Sequence, residues 1–337
     1  MTQTAALVAR SAPDRNSDAS AAPQLISPQL AQTIARAAAY AKAARAPATL
    51  RAYASDWRIF CAWARRHGLT PLPCSAELVA TFAAHDAEQG SNPRTIERRI
   101  AAIGHYHAQA GQLAPNKGDT AGLLNEVLAG IRAIHGRPKR RLAPARADAL
   151  AAMLATLDQD DLRSLRDRAI LALGMAAALR RSEIVGLDVG DVEMVAEGLI
   201  LTIRDSKTDK LREGVAIAVP EGQFIEPKAH LRAWLDAAGH SEGPLFCRLT
   251  RNNTPCPTPM SDRAVARLIK ACAARAGLDP AIYSGHSLRS GFLTEAAANK
   301  ATIFKMQAVS RHKTLDVLAT YVRDADAFTD HAGSGFL

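Results

Sequence analysis

The amino-acid sequence predicts a mainly α-helical fold with two domains: an N-terminal helical domain and a mostly helical C-terminal domain that contains a small antiparallel sheet. Alanine, the best helix former and a poor strand former, is abundant throughout, whereas aromatic residues make up only 5% of the chain. Apolar residues recur at helical spacing between short loops, and a clear β pattern occurs in one place only. A length of 337 residues is enough for two domains rather than one.

The N-terminal domain is predicted at residues 26–136. Residues 1–25 precede it; they are rich in Ala, Ser, Pro, Asp and Thr without any period, which predicts a disordered arm. Glycines follow several helical patterns as stop signals, and the short loops between the helices indicate a compact bundle. The predicted helices span residues 28–44, 47–66, 75–88, 94–110 and 120–135.

The fourth predicted helix carries a basic stripe. Its spacing places Arg94, Arg98 and Arg99 on one side, and three isoleucines occupy the other. This pattern suits a helix docked across a phosphate backbone or in a major groove. Taken by itself, however, the stripe is better explained as an ordinary solvated face.

Residues 137–146 are predicted to be a linker between the domains. The stretch from Gly136 to Arg146 contains two prolines, five basic residues and no acid. Cations on a flexible segment, here Lys139, Arg140 and Arg141, would also bind DNA phosphates.

The C-terminal domain is predicted at residues 147–337. Two short β-rich runs, residues 199–203 and 215–219, flank a polar turn, which predicts a hairpin with Lys207 and Lys210 at its tip. The predicted helices of this half span residues 146–158, 161–179, 226–238, 261–276, 287–298, 302–309 and 314–321.

Charge, cysteine content and the length of apolar runs limit which partners and which cellular location are expected. A net charge of +9 indicates a polyanionic partner such as nucleic acid, although the codon usage of a GC-rich genome would explain it equally well. The five cysteines include no Cys-x-x-Cys pair, so a disulfide framework or a structural zinc is not expected. No signal peptide is evident, and the longest apolar run, residues 169–179, is too short to span a bilayer. We therefore expect a cytoplasmic protein with no membrane partner.

The chemistry is concentrated in the stretch from Tyr283 to Tyr321. It combines His286, Arg289 and His312 with a phenol, and it holds no carboxylate placed like a metal ligand. That set suits a tyrosine that attacks a phosphodiester while cationic donors take up the charge. Each motif alone also has a simpler explanation, such as a surface salt bridge, a soluble turn or core packing.

The ordered set of motifs resembles the tyrosine recombinase (phage integrase) family. Arg180-Arg181-Ser182-Glu183, the hairpin lysine, His286-Ser287-Leu288-Arg289, His312 and Tyr321 fill all six catalytic positions over about 140 residues, a far more specific signal than any one motif. The first half is similar to the family's core-binding domain at residues 49–53 and 93–98. In layout the chain is similar to Cre-type members over about residues 30–330, although Ser310-Arg311-His312 replaces the common Leu-Gly-His.

The resemblance implies a covalent mechanism. Tyr321 would attack a DNA phosphate to give a 3′-phosphotyrosine and a free 5′-hydroxyl, with no ATP, metal or other cofactor. His286 would accept the phenol proton, and Lys207, with Lys210 in reserve, would protonate the leaving 5′-oxygen.

The resemblance also assigns the charged residues around the phosphate. Arg180, Arg289 and His312 would stabilise the anionic transition state as preorganised cations, and Glu183 would orient its neighbours.

By the same resemblance, DNA is held at several places. Arg94, Arg98 and Arg263 would contact base edges, whereas Arg51, Arg251 and the linker cations would bind phosphate. The family closes around DNA as a C-shaped clamp and works as a homotetramer, on sites expected to carry inverted repeats. Phe328 and the tail at residues 331–337 would dock on a neighbouring subunit.

The expected function is therefore a site-specific DNA recombinase of a bacterial mobile element, nucleoid-associated when bound and open to accessory proteins. Three alternatives remain: a type IB topoisomerase-like enzyme, a non-catalytic sequence-specific DNA-binding protein, and a helical protein with an arginine-rich surface.

Overall fold

The computed structural model describes residues 27–118, 121–137, 142–158, 160–204, 214–327, 329 and 332–334. The chain forms two compact units, one within residues 1–139 and one within residues 140–337. Helices dominate both units, and the described strands form two small antiparallel sheets, which confirms the predicted fold class. No helix in these described ranges is both long and apolar enough to cross a membrane.

The N-terminal unit is a bundle of helices whose ends follow local capping rules. Proline opens the second and fourth helices, where its missing N–H is not needed. The Ser75 hydroxyl accepts a hydrogen bond from the Leu78 N–H and caps the third helix, and the Asn92 side chain caps the fourth. The helices are α1 (Pro28–Ala43), α2 (Pro47–Arg66), α3 (Ala76–Glu88), α4 (Pro93–Gln109) and α5 (Ala121–His135).

The core of this unit lies between two packed helix pairs. Helix α2 packs against α4, and α3 packs against α5. Phe60 from α2, Phe82 from α3 and Ile96 from α4 are completely or almost completely buried between them. The unit therefore has a hydrophobic core of its own.

The C-terminal unit alternates helices with short strands. Its helices are α6 (Ala147–Ala155), α7 (Leu162–Ala176), α8 (Arg181–Gly186), α9 (Pro227–Ala238), α10 (Asp262–Arg275), α11 (Ser287–Ala298), α12 (Ile303–Ser310) and α13 (Asp316–Ala325). A 3-10 helix spans Val189–Asp191. The strands are β1 (Val192–Val195), β2 (Gly198–Ile203), β3 (Val215–Pro220), β4 (Cys247–Leu249) and β5 (Pro255–Pro259).

The predicted β pair is present, and the sheets extend beyond it. Strands β2 and β3 pair antiparallel, with Ile203 opposite Val215, but β1 adds a third strand on the other side of β2. Strands β4 and β5 form a separate pair that the sequence analysis did not predict, because β5 contains three prolines, which are unfavourable within a ladder. The predicted tip lysines, Lys207 and Lys210, lie outside the described residues.

Helix α7 organises the core of the C-terminal unit. It is buried along most of its length, and it passes so close to its neighbours that a Cβ on Gly174 would lie 2.8 Å from the Leu288 side chain and 3.1 Å from Ile184. Because Ile184 lies on α8 and Leu288 on α11, the close approach at Gly174 brings these two helices together over α7.

A smaller apolar cluster fixes the last helices. Leu293, Met306 and Leu318 are buried where α11, α12 and α13 meet, and Tyr321 packs at the edge of this cluster. The position of Tyr321 therefore depends on the packing of α13 against α11 and α12.

Part of the predicted linker is attached to the C-terminal unit. The Ala143 and Ala145 N–H groups donate to the carbonyls of Ile282 and Ser287, both at 2.8 Å. Helix α11 approaches this segment so closely that a Cβ on Gly291 would lie 2.0 Å from the Ala145 carbonyl oxygen. Residues 142–146 thus support the start of α11.

Candidate active site

A buried carboxylate, Glu183, lies at the centre of the candidate site. Helix α8 begins at Arg181, and Glu183 in its first turn accepts a hydrogen bond from the Arg180 N–H at 2.8 Å. The Arg180 guanidinium donates to the other carboxylate oxygen at 2.5 Å. Burial alone would raise the pKa of Glu183, but Arg311 and Arg180 outweigh it and hold this pKa below its ordinary value. Glu183 is therefore ionised, and its two hydrogen bonds hold Arg180.

Two helix C-termini position the Arg289 guanidinium. Helix α7 ends just before Ala178, whose carbonyl accepts from Arg289 at 2.6 Å, and α12 ends at Ser310, whose carbonyl also accepts from Arg289. The last carbonyls of a helix have no partner within the helix and carry partial negative charge, so an arginine is favoured there. Arg289 is almost completely buried, and its desolvation, together with the charge of Arg180, lowers its pKa to about 10.

His312 follows directly in the loop after α12. Its Nδ1 lies 2.8 Å from the Ser310 hydroxyl oxygen and 3.3 Å from an Arg289 nitrogen. The same Arg289 nitrogen also lies 3.5 Å from Nε2, so this guanidinium contacts both ring nitrogens. Desolvation, with the charge of Arg289 next in importance, lowers the pKa of His312 to about 4. His312 is thus a neutral hydrogen-bond donor at pH 7 in the protein without DNA, which differs from the cationic role expected from the sequence.

Arg311 joins this cluster, although the sequence analysis did not assign it to the site. Its guanidinium donates to Glu183 at 2.7 Å and to the Val309 carbonyl at 2.6 Å, and its side chain is only 6% exposed. The one feature of the sequence that could have pointed to Arg311 is the replacement of the family's glycine by arginine in Ser310-Arg311-His312.

Tyr321 and His286 lie at the edge of the cluster. Tyr321 is half-buried on α13, close enough to Arg289 that a phenolate would raise the pKa of that guanidinium, against the larger opposite effect of burial. His286 is exposed at the N-cap of α11, and its charge helps to lower the pKa of His312, after burial, Arg289 and Arg180. The structure therefore places five predicted residues, Arg180, His286, Arg289, His312 and Tyr321, in one neighbourhood.

An open cleft of about 360 Å³ adjoins Arg180 and His286. Arg181 and Lys270 line the same cleft, so four basic side chains line it together with one carboxylate, Asp262, which lies 3.9 Å from the Arg181 guanidinium. Gly285 forms part of its wall, where a Cβ would lie 1.8 Å from the Cδ of Arg181. The cleft can accept an anionic chain beside the buried cluster.

The remaining predicted catalytic and docking residues cannot be placed. Lys207, Lys210 and Phe328 lie outside the described residues, as do the linker cations Lys139, Arg140 and Arg141, and most of the tail at 331–337. Their roles stay predictions.

The predicted DNA contacts within the described residues are mostly exposed, but they differ in whether an acidic side chain already holds them. Arg51 on α2, Arg94 on α4, Arg251 in the β4–β5 turn and Arg263 on α10 are exposed, as a DNA contact requires. Arg98 is also exposed, but its guanidinium donates twice to the buried Asp56, at 2.8 and 3.0 Å.

Arg99 differs from the others on the predicted basic stripe. Its side chain is only 15% exposed and forms ion pairs with Asp86 and with Asp56. These contacts give Arg99 a structural role inside the N-terminal unit, which the prediction of a DNA contact did not anticipate.

Comparison with known proteins agrees with this geometry. A sequence profile of the "Phage integrase family" matches residues 142–327, and one of the "Phage integrase, N-terminal SAM-like domain" matches residues 39–112. The chain belongs to the phage integrase family. A relative from Selenomonas ruminantium, described as "Integrase/recombinase xerD homolog", is 34% identical over 290 residues, which cover 86% of this chain and 85% of the relative. The resemblance seen in the sequence is thereby confirmed.

Two solved structures share the fold. XerH recombinase bound to a palindromic difH substrate, in a post-cleavage complex, has a TM-score of 0.57 and 14% identity, covering 76% of this chain and 70% of that one. A lambda integrase (75–356) dimer bound to a COC′ core site has a TM-score of 0.56 and 18% identity, covering 83% of this chain and 90% of that one.

Proposed function

We propose that this phage integrase family member is a site-specific DNA recombinase that cleaves and rejoins strands through a 3′-phosphotyrosine. The observation that carries this proposal is the convergence of Arg180, Arg289 and His312 around buried Glu183, next to the helix that bears Tyr321. Relatives named as recombinases, and neighbours solved on DNA, favour recombination over the topoisomerase and binding-only alternatives.

In the proposed reaction the Tyr321 oxygen attacks phosphorus, and the bond from phosphorus to the 5′-oxygen breaks. His286 accepts the phenol proton, and Lys207 supplies a proton to the leaving oxygen. The phosphodiester energy is retained in the phosphotyrosine, so the reverse attack by a 5′-hydroxyl reseals the strand without ATP or metal.

Charge stabilisation is the main contribution of the buried cluster. The transition state gathers negative charge on the phosphoryl oxygens, and the Arg180 and Arg289 guanidiniums are held in place before DNA arrives. Neutral His312 adds one ring N–H donor, which is available at pH 7 without protonation of the imidazole to a cation.

The assembly proposed for the reaction is a homotetramer in the cytoplasm, on a double-stranded site with inverted repeats. The C-terminal tail docks between subunits, and the protein belongs to a mobile element that supplies any accessory proteins. The support for this part is family membership.

Tyr321→Phe tests the chemistry. The protein is mixed with labelled duplex fragments of the DNA flanking its own gene, nicked at random, and quenched with SDS. We expect the wild type to give an SDS-resistant adduct and the variant to give none, while both retard the DNA equally. Adduct formation by the variant would refute the assignment of Tyr321, and relaxation of supercoils without sequence preference would favour a topoisomerase.

A further inference from the structure

Arg311 occupies a backbone position that sterics alone would assign to glycine. It caps the C-terminus of α12 with φ 57° and ψ 39°, in the left-handed region. A side chain is unfavourable in this conformation, whereas glycine adopts it without strain. An arginine here carries backbone strain that glycine would avoid.

The contacts of Arg311 are directed at the carboxylate of the candidate site. Its guanidinium donates to Glu183 Oε2 at 2.7 Å, the oxygen that also accepts from the Arg180 N–H at 2.8 Å. The other oxygen, Oε1, accepts from the Arg180 guanidinium at 2.5 Å. Arg311 thus holds one side of a carboxylate whose other side holds Arg180.

We propose that Arg311 is a positioning residue for strand cleavage: it fixes the Glu183 carboxylate, which in turn fixes the Arg180 guanidinium. This inference rests on the proposed function and assigns Arg311 no contact with DNA. Its side chain is 6% exposed, and its further bonds reach the carbonyls of Val309 and Ala177 at the ends of α12 and α7. The ion pair between Arg311 and Glu183 therefore also connects the loop that contains His312 to the first turn of α8.

The central test compares wild type with Arg311→Gly, which removes the guanidinium and suits the left-handed backbone. Without Arg311 the Glu183 carboxylate would no longer be fixed, and the Arg180 guanidinium that it holds could shift. Misplacement of one catalytic group by about 1 Å can cost up to about 100-fold in rate. We expect the rate constant of adduct formation at saturating DNA to fall roughly 10- to 100-fold. The dissociation constant for DNA should change by less than about twofold, because Arg311 is buried away from solvent.

A matched control separates this effect from strain relief and loss of charge. Lys300 is also a cation at φ 57°, at the end of α11, and it pairs with Asp326 while remaining 63% exposed. Lys300→Gly should change the rate constant by less than about twofold. Equal losses for Arg311→Gly and Lys300→Gly would overturn the inference.

A double-mutant cycle with Glu183→Gln tests the route of the effect. If Arg311 acts through Glu183, adding Arg311→Gly to Glu183→Gln should slow cleavage by less than about a further twofold. Multiplicative losses would mean that Arg311 acts independently of Glu183, and the inference would be wrong. Arg311→Asn, which also tolerates the left-handed backbone, provides a second variant and should show the same loss as Arg311→Gly.

The substrate in these measurements is the randomly nicked pool of fragments flanking the gene, at a temperature at which circular dichroism shows every variant folded. A wild type that forms no adduct would refute the proposed function and the inference with it. A wild type that forms the adduct, with Arg311→Gly equally fast, would refute the inference alone.

Discussion

Glu183→Gln is the substitution that most directly tests the architecture of the site. Glu183 is 3% exposed; its Oε1 accepts from the Arg180 guanidinium, and its Oε2 accepts from both the Arg180 N–H and Arg311. Glutamine keeps the size of the side chain but removes the charge, and its amide nitrogen would face a guanidinium N–H. Removal of one partner from a buried ion pair costs about 3–5 kcal/mol, because the remaining charges stay buried without compensation.

The expected loss can be measured as thermal unfolding of the C-terminal unit. For a unit of this size each kcal/mol lowers the melting temperature by about 2–4 °C, so the loss of about 3–5 kcal/mol should lower it by roughly 6–20 °C in calorimetry. Glu193→Gln on β1 is the matched control, since Glu193 is exposed, and it should change stability by no more than about 0.5 kcal/mol. A Glu183→Gln protein as stable as the Glu193→Gln protein would refute this account of the cluster.

Two further outcomes are expected. Gly291→Ala should destabilise the protein by about 1–3 kcal/mol in urea unfolding, because its Cβ would lie 2.0 Å from the Ala145 carbonyl oxygen, whereas Gly130→Ala on α5, with open space around it, should be neutral or slightly stabilising. His312 has a folded pKa of about 4, below its unfolded value near 6.5. The unfolded state therefore binds more protons between these values, and stability is lost as pH falls from about 6.5 to about 4. After allowance for solvent screening we expect His312→Gln to remove about 1–2 kcal/mol of this pH dependence. The separate contributions of His230 and His105, whose pKa values are also lowered by burial, should remain. An unchanged pH profile, or an NMR titration of His312 near its ordinary pKa, would contradict this assignment.

Local signals were sufficient for most of the helices. The predicted helix at residues 47–66 coincides with α2, because Pro47 at its first position and Gly68 beyond its end are local start and stop signals. Strand β5 was not predicted because its three prolines are unfavourable within a β-ladder. Its pairing with β4 depends on the tertiary fold, which the local sequence pattern does not show.

The basic stripe shows how far helical spacing can be trusted. Arg98 follows Arg94 by four positions and lies about 40° around the helix, on the same exposed face. Arg99 follows Arg94 by five positions and lies about 140° around, which turns it toward Asp86 and out of solvent. The sequence therefore predicted the exposed cations of α4 but not the ion-paired, partly buried Arg99.

The family resemblance rests on the order of the motifs along the chain, whereas the contact between Glu183 and Arg311 could not be predicted from that order. Glu183 and Arg311 are 128 positions apart, and only the meeting of α8 with the end of α12 joins them. A buried ion pair of this kind has no periodic signature, so the departure from glycine at residue 311 was its only trace in the sequence.

The balance of charge explains why the cluster suits a phosphodiester. Three guanidiniums, those of Arg180, Arg289 and Arg311, surround the carboxylate of Glu183, and the pKa of Arg289 is lowered by burial and by the other two cations. Such crowding is unfavourable in the protein alone, and an anion placed beside it relieves the repulsion. A transition state with more negative charge than the ground-state phosphate relieves it further, so the same arrangement that lowers the stability of the free protein favours strand cleavage over simple binding.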